Sequence, residues 1–100
     1  MSNQPLEISI EAFRRWCEEN RDRVIGSCGN DFDCPVARYL IKTVGAENFV
    51  SVNAGGVLIG GKFFTPPAWV SYVIEGVDRL PDYHATGREV VEILEDWMGR

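Results

Sequence analysis

The chain reads as an α+β fold, and three observations carry that reading. Four segments place apolar residues at helical spacing. A central stretch from Phe49 to Phe64 breaks into short apolar runs separated by glycine pairs. Most segment boundaries carry a residue suited to capping or turning. The expected order is α-α-β-β-α-α, an antiparallel hairpin packed against four helices, because an isolated hairpin is too weak to stand uncovered. At 100 residues the chain is expected to form a single domain over 1–100, with residues 1–5 flexible.

Ser9 is a suitable N-cap for a first helix over about residues 10–21. Ile10, Phe13, Trp16 and Cys17 form one apolar stripe. Glu11–Arg15 and Arg14–Glu18 offer ion pairs four residues apart on the opposite side, each worth a few tenths of a kcal/mol. Residues 24–33 read as loop, since Gly26, Gly29, Asn30 and Asp31 favour turns. Asp33 is then placed to cap a second helix over 34–44, with Pro35 in its first turn and Gly45 as its stop. Val36, Leu40 and Val44 give that helix its buried face, with Ala37 and Ile41 alongside.

Residues 49–52 and 57–59 read as strands joined by a turn at Asn53-Ala54-Gly55-Gly56. Gly60-Gly61 marks a bulge or the end of pairing, after which Lys62-Phe63-Phe64 resumes the strand. Thr65 is expected to cap a third helix that holds Pro66 and Pro67 in its first turn and ends at Pro81. Gly76 inside it costs about 1 kcal/mol relative to alanine. Thr86 and Glu89 form a capping box for a last helix running to about Met98, with Val90, Ile93, Leu94 and Trp97 inward and Glu92, Glu95 and Asp96 outward.

The net charge is −5, and residues 66–100 alone carry seven acids against three bases. A negative chain without a basic cluster is poorly suited to nucleic acid or to anionic membrane surfaces, both of which need Lys or Arg to neutralise phosphate. It suits a protein partner with a basic surface. No apolar run approaches the ~20 residues of a membrane span, and the first residues lack a secretory pattern, so a cytoplasmic setting with reduced thiols is expected.

The stretch with most chemical content is 28–40, which holds Cys28 and Cys34. At the start of a helix, the Cys34 thiolate would meet free N–H groups and the positive end of the dipole, while Asp31 and Asp33 oppose it. His84 is the only histidine and so the only conventional base partner. A bland reading stands beside this one: a small residue buried beneath the loop. Cys28 and Cys34 would form a redox pair if their backbones approach within disulfide range. Cys17, Cys28, Cys34 and His84 match a structural zinc set by count but not by spacing, so no metal is expected, and no motif calls for a cofactor.

Binding candidates are Asp31, Phe32 and Asp33 on the loop and Glu92, Glu95 and Asp96 on the last helix. Phe32 is either an apolar anchor for a partner or a staple packing on Ala37. Three functional readings follow. The first is a non-enzymatic interaction or regulatory module, such as an inhibitor. The second is a cysteine-dependent redox sensor or small enzyme using Cys34 with Cys28. The third is a homodimer paired through the strand edge at 49–64.

Overall fold

The computed structural model describes residues 4–45, 49–53 and 55–99. Ten elements follow one another: β1 (Gln4–Pro5), α1 (Ile10–Glu19), β2 (Val24–Ser27), α2 (Pro35–Val44), β3 (Val50–Asn53), β4 (Gly56–Ile59), β5 (Lys62–Thr65), α3 (Ala68–Asp78), β6 (His84–Thr86) and α4 (Gly87–Met98). The α+β class and the four helices are as read from the sequence. The order differs, because four further strands appear: β1, β2 and β6, and β5, which is a strand of its own rather than a resumption of β4, so the hairpin becomes part of a larger sheet.

That sheet runs β1-β5-β4-β3. The hairpin pairs β3 with β4 antiparallel, Val50 opposite Ile59 and Val52 opposite Val57. The Gly60-Gly61 pair, both at positive φ (55° and 84°), makes a two-residue turn into β5. Glycine tolerates that left-handed backbone, and two such residues in succession give the turn whose twist matches antiparallel strands. β1 then joins β5 in parallel. A separate ribbon pairs β2 with β6 antiparallel, with a register break between Val24 and Gly26. Residues 24–27, expected as loop, are therefore strand.

Alternation along the four-stranded sheet sends Val50, Val52 and Val57 inward, where they are 4%, 1% and 0% exposed. There they join Phe13 and Cys17 of α1, Val36, Ala37 and Leu40 of α2, Val70 and Val73 of α3, and Val90 and Leu94 of α4 in one contiguous core. Phe13 is the centre of an aromatic group, its ring 5.2 Å from Tyr39 and 5.3 Å from Trp69.

Helix boundaries explain several differences from the sequence reading. Ser9 caps α1, its hydroxyl accepting the Ala12 N–H at 3.1 Å. The capping box of α4 is complete, with both Thr86 and Glu89 bonded reciprocally. Cys34, not Asp33, caps α2: its sulfur accepts the Ala37 N–H at 3.4 Å. Asp33 is occupied by Arg38 and Ser27 instead. Thr65 is the last residue of β5, and α3 starts behind Pro67 without a side-chain cap. α3 stops at Asp78, ahead of Pro81. The charges on α1 also pair otherwise than expected: Arg14 reaches Glu95 of α4 at 3.8 Å and Glu18 accepts from Arg21 at 2.8 Å. Ala54 of the hairpin turn lies outside the described residues, but Asn53 Oδ1 accepts the Gly55 N–H there at 2.8 Å.

Two glycines mark where backbones touch. A Cβ at Gly26 would stand 2.4 Å from the Pro35 nitrogen, and one at Gly87 would stand 2.1 Å from the Cys17 carbonyl oxygen. The first contact presses β2 onto the start of α2, and the second seats α4 on the end of α1. The amides that begin α4 are satisfied there, Gly87 N–H by the Arg23 carbonyl at 3.2 Å and Arg88 N–H by that of Arg21 at 3.0 Å.

Candidate functional site

The 28–34 loop is tied to four parts of the fold. Gly29 N–H donates to Asp78 Oδ1 at 2.9 Å, at the end of α3. Cys28 N–H donates to the Tyr83 carbonyl at 2.9 Å, just before β6. The Asp31 carbonyl accepts the Val52 N–H of β3 at 2.8 Å, and the Asp33 carbonyl accepts the Ser27 N–H of β2 at 2.8 Å. Asp33 holds the fourth side together with its side chain. Its carboxylate takes Arg38 Nε at 2.7 Å and Nη2 at 3.1 Å, plus the Ser27 hydroxyl at 2.8 Å. The hydrogen bond from Arg38 is the main reason its pKa falls below the usual carboxylate range.

With Cys34 as cap, the residues just before the cap and four into the helix are Asp33 and Arg38, so an ion pair occupies the places a hydrophobic staple would fill. Phe32 is half-exposed at 55% and stands edge-on to Phe49, centroids 5.4 Å apart. It packs on that ring rather than serving α2 as a staple.

His84 lies on β6 opposite Ser27, one residue from Cys28. Among the described residues, no hydrogen bond joins His84 to a thiol. All three cysteines are free. Cys34 is 5% exposed, and burial pushes its thiol up, while the Ala37 and Val36 amides act in the other direction. Burial also raises Cys28, helped by the charges of Asp78, Glu89 and Asp82. Cys17 is pushed up to about 12, again by burial first and Glu18 second. The thiols are therefore protonated near neutral pH. The helix start that was expected to favour a Cys34 thiolate is outweighed by desolvation. No group of three or more His, Cys, Asp or Glu among the described residues is placed to hold a metal ion.

The acids of α4 separate into two places. Glu95 turns toward Arg14 of α1. Glu92 and Asp96 face the other way, into a groove of about 460 Å³ between α3 and α4. Each side gives it a stripe at the same spacing: Tyr72, Glu75 and Gly76 from α3 with Arg79 capping its end, and Glu89, Glu92, Ile93 and Asp96 from α4. Gly76 lets the helices approach, since a Cβ there would meet Ile93 at 2.9 Å. Ile93, Gly76 and Leu80 supply the apolar surface, and the walls carry four carboxylates against the single guanidinium of Arg79. Asp96 accepts a hydrogen bond from the Tyr72 hydroxyl, and Glu89 is held by the capping box. Among the described residues, Glu75 and Glu92 have no ion-pair partner.

The α3 half of this groove was missed by sequence reasoning. Its signal was present in the spacing of Tyr72, Glu75, Gly76 and Arg79, but nothing in a helical stripe says which neighbour it will face. No helix among the described residues is long and apolar enough to cross a membrane. A scan against protein-family models and searches of curated proteins and of solved structures returned no match for this chain.

Proposed function

We propose that this chain is a protein-interaction module that receives a cationic segment of a partner in the α3–α4 groove. The observation that carries this reading is the pairing of an apolar floor with walls of four carboxylates and one guanidinium. Such a groove suits a Lys or Arg side chain, whose methylenes lie on apolar surface while the charged head meets carboxylates. Among the described residues, Glu75 and Glu92 are the two wall carboxylates held by neither an internal ion pair nor a hydrogen bond, so they are the ones we assign to the incoming charge. The net charge of −5 adds long-range attraction for a basic partner. By covering the basic surface of its partner, the module would act as a regulator or inhibitor. The raised thiols give the cysteine-dependent alternative no comparable support.

The test is a titration of isotope-labelled protein with a short Lys/Arg peptide, followed by amide chemical shifts at ~0.01 M and ~0.15 M salt. Shifts centred on residues 72–80 and 89–96 are expected, with weaker binding at the higher salt and in Glu75→Gln/Glu92→Gln. Shifts scattered over all acidic faces, or equal binding by the double variant, would remove the proposal.

A further inference from the structure

The α3–α4 groove is unequal along its length. Tyr72 donates to Asp96 and Gly76 lies against Ile93, so the two helices run antiparallel and the groove has two distinct ends. One end holds Arg79 and Glu89, a guanidinium with a carboxylate already engaged by the capping box. The other holds Glu75, Glu92 and Asp96, with no basic residue among its walls. Tyr72 forms part of the wall at this acidic end. Its ring is held at two points, by the hydroxyl bond to Asp96 and by the Trp97 ring, inclined at 46° with centroids 5.4 Å apart.

Resting on the reading above that the groove receives a cationic segment, we infer that its acidic end selects arginine over lysine on the partner. Charge alone does not separate the two side chains, since each carries one positive charge. Two features of the groove do. The first is where the carboxylates start. Glu75 precedes Gly76 and Glu92 precedes Ile93, and those two neighbours are where the helices touch, so the carboxylates rise from opposite walls beside one point of close approach. A guanidinium is flat, with five N–H donors in a fixed fork, and can serve both walls at once, whereas an ammonium is a compact point charge. The second is the Tyr72 ring. A guanidinium stacks on an aromatic face and sheds its water more readily than an ammonium does. The ring is already held by Asp96 and Trp97, so little ordering is needed when the arginine arrives. The apolar floor receives the methylenes in either case and contributes no selectivity.

The test titrates the isotope-labelled chain with two short Gly/Ser peptides that differ only in one central residue, arginine or lysine. Their net charge is the same, so long-range attraction to a chain of net charge −5 cancels in the comparison. Both peptides should shift the amides of residues 72–79 and 92–97, with the arginine peptide bound ~3–5-fold more tightly. The δ-methylene proton resonance of its arginine should move upfield on binding, as it comes to lie over the Tyr72 ring. The preference should be lost in Tyr72→Leu and kept in Tyr72→Phe, which retains a ring. If the leucine variant fails to fold, the δ-methylene shift with the native chain decides. Equal affinities, a preference for lysine, an unmoved δ-methylene resonance, or a preference that survives in folded Tyr72→Leu would overturn the arginine assignment and leave the groove a general cation site. Binding of neither peptide would remove the groove reading itself, and the arginine assignment with it.

Discussion

Gly87 stands so close to Cys17 that any side chain on it would occupy the place of the Cys17 carbonyl oxygen: a Cβ would lie 2.1 Å from that atom and 2.5 Å from the Asn20 oxygen. The start of α4 and the end of α1 are therefore in backbone contact, and the capping box of Thr86 and Glu89 sits at the same junction. That junction orients α4, which supplies one wall of the acidic groove.

Replacing this glycine tests the junction. Gly87→Ala is expected to lower stability by at least ~2 kcal/mol, because the clash is with backbone that cannot rotate away. Gly76→Ala makes the comparison. Its clash is with Cγ2 and Cδ1 of the Ile93 side chain rather than with backbone, and alanine offsets part of it by favouring the helix by ~1 kcal/mol, so the loss should be smaller than at Gly87. Urea denaturation of the two variants checks the contrast, and equal losses would show that Gly87 is not specially constrained.

The Asp33–Arg38 pair predicts a pH dependence. Asp33 is held below the usual carboxylate range, so the folded chain binds fewer protons there than the unfolded chain. Its contribution is present in full above the unfolded value of ~3.9 and is lost as pH falls through the lower folded value. Asp33→Asn should cost ~0.5–1 kcal/mol near neutral pH, a modest figure because both side chains are more than a third exposed. The cost should fade as pH drops through the lowered folded value. A cost that stays constant down to low pH would mean that the hydrogen bonds, not the charge, carry the effect.

Thiol alkylation followed by mass spectrometry gives a third expectation. Cys28 is the only partly exposed cysteine and should label first, slowly at neutral pH because its thiol is raised. Cys17 and Cys34 should label only on unfolding. Fast labelling of Cys34 in the folded chain would reopen the reactive-cysteine reading.

The parts of the fold that were legible in the sequence are those whose signal is local. Ser9, Gly45 and the Thr86–Glu89 box mark helix ends through contacts within one turn, and the hairpin carries its own glycine turn. The strands β2 and β6 carry no such signal. Each has three or four residues, β2 contains Gly26 and a register break, and each exists only because the other lies opposite. The choice between Asp33 and Cys34 as cap was also nonlocal in part. A carboxylate is the better acceptor, but Arg38 and the Ser27 hydroxyl claim it, leaving the sulfur to the helix. Thr65 was drawn away from α3 in the same manner, its carbonyl serving Leu6 in the β1–β5 ladder. Of the candidate site, the outward acids of α4 were visible, whereas their division between Arg14 and the groove depends on which helices lie on either side.

The ladders of this fold have a consequence for how it is made. Val24 pairs with Thr86 and Gln4 with Phe64, so each ladder closes a loop of roughly 60 residues, an ordering cost met before any contact rewards it. During synthesis β2 must wait unpaired until the segment ending at Thr86 has emerged, and the helix behind it, α4, cannot dock until the same moment. The nascent chain therefore carries an open strand from the emergence of β2 until that of β6, and the docking of this ribbon waits on the segment that also begins α4.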